Sequence, residues 1–246
     1  MITRQFITEL STKYQTSEQN IAREYCQHLF LSYLYKKKES EQLLFKGGTA
    51  LRIVFTSPRF SEDLDFSGYN FSIGEANKLI DEVLSEINNE GIIVQKDVNP
   101  GTQGETSGGY YAIIRLKLLE FDSEIRIQIS FRNKEVLKSN TGLVENDFMP
   151  PYTIVFLDES LLVREKVQAL LDRAKPRDFF DLYFILRNRR LVGYIPQDIS
   201  NLKDKITEVL QNGLEKELKI FLPVSYHPLL KDFKERLIKE IEVHIK

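Results

Sequence analysis

The sequence predicts an α+β protein with N-terminal helices, a mixed sheet in the middle of the chain and a helical C-terminal lobe. Apolar residues recur at helical spacing over the first forty residues, strand-like alternation dominates residues 92–132, and helical spacing returns after the last strand. A chain of 246 residues is long enough for two modest domains. We therefore expect a core with N-terminal helices at residues 1–157 and a helical domain at residues 158–246.

The N-terminal helices follow from the apolar spacing. Phe6, Leu10 and Tyr14 recur every four residues, and the same period continues from Ser17 to Tyr33. Ser17 is the expected N-cap of the second helix, because its hydroxyl can accept a bond from an otherwise unpaired N–H group.

The next segment alternates between strands and helices. A short apolar strand at residues 43–45 leads into two glycines and a helix over residues 49–55, followed by a strand centred on Leu64 and Phe66. Residues 72–90 are amphipathic, and we expect a helix there that begins after the N-cap Ser72.

The rest of the chain divides into strands and then helices. Four strands are expected, at residues 92–98, 110–119, 123–132 and 152–158. Four helices follow, at residues 159–173, 177–190, 197–212 and 227–245. The clearest alternation is that of Ile125, Ile127, Ile129 and Phe131 against polar neighbours.

Composition limits the class of function. The formal net charge is −2, so the chain lacks the global basic character of many nucleic-acid binders, and any polyanion must bind locally. No run approaches the roughly 20 apolar residues that cross a bilayer, and no signal-peptide pattern is present. The single cysteine, Cys26, cannot form an internal disulfide. We expect a cytoplasmic protein without a membrane partner.

An acidic pair stands out in the stretch KGGTALRIVFTSPRFSEDLDF at residues 46–66. Asp63 and Asp65 point to the same face of a strand, because side chains alternate with a period of two. Two neighbouring carboxylates repel each other and require a metal ion, a basic partner or open water. The alternative is a surface strand with two solvated aspartates.

The glycines upstream favour an anion-binding turn. Gly47 and Gly48 allow the backbone to approach a phosphate closely, and the hydroxyl of Thr49 can bond a phosphate oxygen or act as an N-cap. The spacing is not that of a Walker P-loop. A glycine turn about fifteen residues before an acidic pair resembles the layout of the nucleotidyltransferase fold of the DNA polymerase beta type.

Three strings, FKGGTALRIVF, RFSEDLDF and REKVQALLDRAKPRDFFDLY, resemble the AbiEii/AbiGii toxin family of nucleotidyltransferases. These are the toxins of AbiE-type (type IV) toxin–antitoxin systems, and the resemblance covers roughly half of the chain. It implies a polymerase-beta-like core, nucleotidyl transfer from an NTP, and an RNA acceptor, notably the 3′ end of tRNA. It also implies a cognate antitoxin as partner and a role in phage defence.

The resemblance also implies roles for the first two strings. The turn at residues 47–49 would hold the triphosphate, and Asp63 and Asp65 would coordinate one or two Mg²⁺ ions, with Mn²⁺ as the alternative. Ser61 would direct its hydroxyl into the nucleotide site if the strand begins there. The alternative for Ser61 is an ordinary serine at the edge of a strand.

The third string is basic, with eight Lys or Arg against four Asp or Glu in residues 161–190. Lys166 and Arg173 are seven residues apart, on one face of a helix. The resemblance implies that Lys166 contacts the NTP phosphates and that Arg173 lies in the nucleotide site.

Asp181 would be a further catalytic acid, braced by Arg177 and Asp178, with Arg177 also at the nucleotide. The alternative is a pair of helices joined by ion pairs such as Arg177 with Asp181.

A third strand carboxylate is missing. Polymerase-beta-type sites normally take a third carboxylate from a neighbouring strand. The polar face of the strand SEIRIQISFR carries Glu124, Arg126, Gln128 and Ser130. We expect Gln128, a neutral amide, to meet the acidic pair. Three alternatives follow. Glu124 supplies the third carboxylate in a shifted register, Asp181 acts together with the two aspartates, or the site has reduced activity. We rank the alternative with Asp181 first.

Two other functions remain open. One is a nucleotide-binding or partner-binding module of the same fold with weakened catalysis. The other is a nucleotidyltransferase that acts on a protein or small-molecule hydroxyl. A zinc site is not expected, because His28, His227 and His244 are scattered.

Overall fold

The computed structural model describes residues 2–98, 109–131, 137–196 and 214–245. The chain forms two compact units. Unit 1 comprises Met1–Thr56 and Phe60–Leu157, and unit 2 comprises Ser57–Arg59 and Asp158–Lys246. The short segment Ser57–Arg59 therefore groups with residues far along the chain.

Unit 1 contains a mixed sheet. Its strands are β1 Leu43–Lys46, β2 Asp63–Gly68, β3 Ile93–Val98, β4 Tyr110–Leu118, β5 Phe121–Phe131, β6 Ser139–Val144 and β7 Tyr152–Leu157. Their order across the sheet is β3-β4-β5-β2-β1-β7-β6. β2 runs parallel to β5 and β1 parallel to β7, and the other neighbours are antiparallel. This mixed sheet with helices confirms the predicted α+β class.

Four helices belong to unit 1: α1 Arg4–Tyr14, α2 Glu18–Leu34, α3 Gly47–Ile53 and α4 Ile73–Asn89. Both predicted N-caps are confirmed. The hydroxyl of Ser17 accepts from the N–H of Asn20, and Ser72 forms a reciprocal capping box with Glu75.

One face of the sheet is apolar and forms the core. Ile125, Ile127 and Ile129 of β5 lie on this face, and the register sets Leu64 and Phe66 of β2 beside the last two. All five are buried, and α2 packs against β5 while α4 packs against β3. The predicted alternation is therefore confirmed.

Unit 2 is helical where it is described. Its helices are α5 Glu159–Arg173, α6 Pro176–Arg187, α7 Leu214–Phe221, α8 His227–Lys231 and α9 Phe233–His244. The ring of Phe233 packs against Phe180 and Tyr183 of α6, with centroids 6.1 and 5.5 Å away. No helix in the described ranges is long and apolar enough to cross a membrane.

Three elements differ from the sequence-based expectation. The edge strand β6 was not predicted, because SNTGLV is polar and contains a glycine. The helix expected at residues 227–245 is interrupted at Asp232, whose φ of −116° and ψ of 29° leave the helical region. The helix expected at residues 197–212 lies outside the described residues.

A buried ion pair joins α3 to α2. Arg52 donates to Glu24 through Nε at 2.9 Å and Nη2 at 3.2 Å, and the two side chains are only 12% and 8% exposed. Nearby, His28 shares a 2.7 Å hydrogen bond with the hydroxyl of Tyr152, and burial lowers the pKa of His28 to about 3. His28 is thus a neutral core residue.

We predict that Glu24→Gln destabilises the protein by about 3 kcal/mol, because it leaves the buried charge of Arg52 without its carboxylate. Urea denaturation of both proteins measures this difference. Glu18→Gln is the matched control, because Glu18 pairs with Arg4 on the surface, and it should leave the midpoint unchanged. Equal midpoints for Glu24→Gln and wild type would contradict the structural role of the pair.

Candidate functional site

The acidic pair lies on the second, polar face of the sheet. Asp63 and Asp65 occupy alternate positions of β2, on the face opposite Leu64 and Phe66. We define the polar sheet face by these two aspartates together with the residues of β5 that alternate with the core isoleucines: Glu124, Arg126 and Gln128.

Asp63 has an incompletely compensated carboxylate. Its Oδ1 atom is buried and has no hydrogen-bond partner among the described residues. The nearest described cation is Arg126, whose Nη1 lies 3.7 Å from that oxygen, beyond hydrogen-bonding distance. A buried oxygen that lacks a hydrogen bond is costly unless a ligand supplies one, and a divalent cation fits this position.

Gly47 brings the backbone against the second carboxylate. Its φ is +82°, and a Cβ atom at this position would lie 2.1 Å from Oδ2 of Asp65. Only glycine therefore fits at position 47, where the turn lies against the acidic pair.

Thr49 connects the same turn to the strand. Its hydroxyl donates to the main-chain carbonyl of Asp63, and the residue is buried. The bond fixes the start of α3 to the start of β2, next to the acidic pair.

The register confirms that Gln128 meets the acidic pair. In the parallel pairing of β2 with β5, Asp65 faces Gln128 and Asp63 faces Arg126. Glu124 lies beyond the end of β2, where it accepts from Nη2 of Arg126 at 3.0 Å. The shifted register that would bring Glu124 to the aspartates is therefore wrong. Among the described residues, no three His, Cys, Asp or Glu side chains form a group able to hold a metal ion.

Asp181 and Lys166 come together within unit 2. Asp181 is 1% exposed and accepts from Nε and Nη2 of Arg59 at 2.9 and 3.1 Å and from Nζ of Lys166 at 2.8 Å. Burial raises the pKa of the Asp181 carboxyl, but Arg59 and Lys166 outweigh it, and the pKa lies below its usual value of 3.8. No sequence pattern predicts that Arg59 is the partner of Asp181.

The remaining acid and arginines of unit 2 form separate contacts. Asp178 is buried and accepts from Arg173 through Nε at 2.9 Å and Nη2 at 2.7 Å, and from the N–H of Lys175 at 3.1 Å. Asp178 thus caps α6 and holds Arg173, and the bracing of Asp181 expected from Asp178 is supplied by Arg59 and Lys166. The Nε atom of Arg177 is buried without a hydrogen bond to a described residue.

Ser61 lies before the strand. Because β2 begins at Asp63, strand alternation does not direct the Ser61 side chain to the polar sheet face. Its main-chain carbonyl accepts from Nε2 of Gln27 on α2 at 3.0 Å. This bond attaches the segment that enters β2 to the core.

Comparisons with known proteins agree with this architecture. Residues 29–242 match the family model described as nucleotidyl transferase AbiEii toxin, type IV TA system. Two crystal structures from Helicobacter pylori share the fold. JHP933 is 20% identical with a TM-score of 0.62, and the match covers 93% of this chain and 92% of that one. A candidate nucleotidyltransferase is 23% identical with a TM-score of 0.58, covering 92% and 98%. No protein among the curated ones matches the sequence.

We predict that Gly47→Ala destabilises the fold by about 1–3 kcal/mol and displaces Asp65, because the new methyl group would overlap the carboxylate at a positive φ. Thermal unfolding and Mn²⁺ binding measure the two effects. Gly74→Ala is the matched control, since its Cβ would meet only Ser72 Oγ at 4.0 Å, and it should retain both properties. Normal Mn²⁺ binding by Gly47→Ala would contradict the close fit.

We predict that Asp181→Asn is destabilising near neutral pH and that its deficit shrinks in acid. The ionised carboxyl has a lowered pKa in the folded protein, so its stabilisation is complete above 3.8 and is lost as the pH falls through the folded pKa. Urea denaturation between neutral pH and about pH 3 measures the difference from wild type. Asp172→Asn, at an exposed residue of α5, should show no such trend. A deficit independent of pH would contradict the ionic role.

Proposed function

The chain belongs to the AbiEii family of nucleotidyltransferase toxins of type IV toxin–antitoxin systems, and on this premise we propose that it transfers NMP from an NTP to the 3′ end of an RNA, tRNA in particular. Mg²⁺, or Mn²⁺ in its place, would bind at Asp63 and Asp65. The observation that carries the proposal is the acidic pair on the polar sheet face, with the buried Oδ1 atom of Asp63 lacking a hydrogen bond.

The proposed reaction is a displacement at the α-phosphate. The terminal hydroxyl oxygen of the RNA forms a bond to the α-phosphorus, and the bond from that phosphorus to the oxygen bridging the β-phosphate breaks. Pyrophosphate leaves with the electron pair, and the hydroxyl proton is released to water. The bound cation would polarise the phosphate oxygens and offset their charge.

The residues of unit 1 support this chemistry in different ways. Mg²⁺ is commonly held by one or two carboxylates together with substrate phosphates, which suits a pair of aspartates. We assign Gly47 and Gly48 to the triphosphate, because the backbone of Gly47 lies directly beside Asp65 and Gly48 follows it in the first turn of α3. Thr49 would contribute through its N–H group, since its hydroxyl is bonded to Asp63.

In unit 2 we propose Lys166 as a phosphate ligand and Asp181 as the residue that orients it. Asp181 already accepts from Arg59 and Lys166 and is buried, so we assign it to positioning and not to the cation. Arg177, with its unbonded Nε, is the better arginine for a phosphate, and Arg173 is engaged by Asp178. Ser61 stays a candidate nucleotide contact on the family resemblance.

The proposed biological setting rests on the family match. Membership implies NTP as substrate and an antitoxin as partner. We propose that the basic segment at residues 161–190 favours an RNA acceptor, and that the toxin acts in the cytoplasm in phage defence. Growth arrest on expression, relieved by co-expression of a cognate antitoxin, tests the toxin role. RNA binding that weakens with salt tests the acceptor.

One observation favours a second function. The residue beside Asp65 is the neutral amide Gln128, and loss of a carboxylate there suits a nucleotide-binding module with weakened catalysis. Transfer to a protein or small-molecule hydroxyl remains a variant of the first proposal. Labelled NTP supplied with tRNA, with total protein or with small hydroxyl compounds separates these outcomes.

We predict that Asp63→Asn lowers the labelling of tRNA from labelled NTP by about 100-fold or more, because a charge that stabilises the transition state through the cation is lost. Incubation of each purified protein with Mg²⁺, each NTP and tRNA gives the rates. Asp97→Asn is the matched control, because Asp97 is an exposed aspartate on the edge strand β3, and it should retain activity. Equal labelling by Asp63→Asn and wild type would overturn the enzymatic assignment.

A further inference from the structure

A series of alternating charges crosses the polar sheet face and ends at the acidic pair. Asp97 on β3 pairs with Arg115 on β4, whose Nε lies 4.0 Å from Glu124 on β5. Glu124 accepts from Arg126, also on β5, and Arg126 faces Asp63 on β2. Exposed ion pairs of this kind contribute little stability, so stability alone does not explain the position of Arg126.

The last contact of the series is incomplete. Nη1 of Arg126 is 3.7 Å from Oδ1 of Asp63, and this oxygen is the one that is buried without a hydrogen bond. By contrast, Nη2 of Arg126 is bonded to Glu124 at 3.0 Å. Glu124 therefore holds the guanidinium beside the acidic pair, where it forms an ion pair with Asp63 but no hydrogen bond, and 43% of the Arg126 side chain is exposed to a ligand.

The two positions of β5 in register with the acidic pair carry no carboxylate for a second cation. Two-metal sites hold two ions about 3.5–4 Å apart, and the second ion needs a ligand of its own. Here the residue in register with Asp65 is Gln128, and the residue in register with Asp63 is a permanently charged arginine. A guanidinium at this place repels a second dication and offers N–H groups with a geometry suited to phosphate oxygens.

We infer that Arg126 binds a phosphate of the NTP and supplies the positive charge that a second metal ion would supply, so that the acidic pair holds one divalent cation. The inference rests on the proposed nucleotidyl transfer and adds a residue and a metal count to it. Glu124 then acts as a positioning residue for Arg126. The Asp63 oxygen that lacks a hydrogen bond is left to the single cation.

The metal count is measured without turnover. Wild-type protein is saturated with a non-hydrolysable NTP analogue, and bound Mn²⁺ is counted by electron paramagnetic resonance. We expect one ion per chain in wild type and two in the double variant Gln128→Asp/Arg126→Gln, which restores a carboxylate beside Asp65 and removes the guanidinium beside Asp63. Two ions in wild type, or one in the double variant, would overturn the inference and leave the proposed function standing. If the protein binds neither Mn²⁺ nor the analogue, both the inference and the proposed function are overturned.

Two affinity measurements distinguish phosphate binding by Arg126 from a purely structural role, because the two affinities should change in opposite directions. In Arg126→Gln, the affinity for the NTP analogue should fall by about 10- to 100-fold, because a charge-assisted hydrogen bond is lost. The affinity of the nucleotide-free protein for Mn²⁺ should rise by about 3- to 10-fold, because a nearby positive charge is removed.

Two variants serve as controls. Arg126→Lys retains the charge, so it should keep the Mn²⁺ affinity of wild type and lose only part of the analogue affinity. Arg115→Gln removes an arginine of similar exposure one strand away and should change neither affinity. Unchanged analogue affinity in Arg126→Gln, or an equal loss in Arg115→Gln, would overturn the assignment of Arg126.

Discussion

The parallel pairing of β2 with β5 is the constraint on which the site depends. The register sets Leu64 and Phe66 beside Ile127 and Ile129 in the core, and the same register sets Asp63 and Asp65 on the opposite face. A slip by one residue would move two aspartates into the core and two large apolar side chains out of it. Burial of each such side chain contributes about 1.5–3 kcal/mol, so the hydrophobic effect holds the carboxylates in place.

Two kinds of environment surround the carboxylates that have buried oxygen atoms. Asp181 and Asp178, in unit 2, are almost fully buried, and each accepts two hydrogen bonds from an arginine and a further bond from another group. Asp63, in unit 1, has a buried oxygen without any hydrogen bond and an arginine just beyond reach. A buried charge is stable only when it is paired, so the first arrangement stabilises the fold. The partly exposed Asp63 has an oxygen with no hydrogen bond, and this arrangement favours a ligand.

The polar sheet face also explains how a family fold can depart from the usual set of three carboxylates. Gln128 occupies the position of the expected third acid, and Arg126 lies one alternate position away along β5. A neutral amide and a guanidinium reduce the negative charge of the face, so under the proposed function fewer cations would be needed to bind a triphosphate there. Metal stoichiometry and nucleotide affinity would then depend on two residues of one strand.

The sequence by itself determined the features that depend on local periodicity. The alternation of β5, the shared face of Asp63 and Asp65, and the caps Ser17 and Ser72 all follow from neighbours a few residues apart. The family resemblance was likewise visible in short strings, and the meeting of Gln128 with the acidic pair followed from the polar face of its strand. The edge strand β6 escaped prediction because its polar residues pack little and are defined mainly by their pairing with β7.

Only the tertiary structure decided which charges meet. Arg59 and Asp181 are 122 positions apart in the chain, and the pairing of Arg126 with Asp63 depends on a register between strands that are not adjacent in sequence. No local pattern specifies such contacts, because any arginine can neutralise any carboxylate that folding brings near it. The core packing selects the partners, and so it decides which carboxylates are compensated and which remain for a ligand.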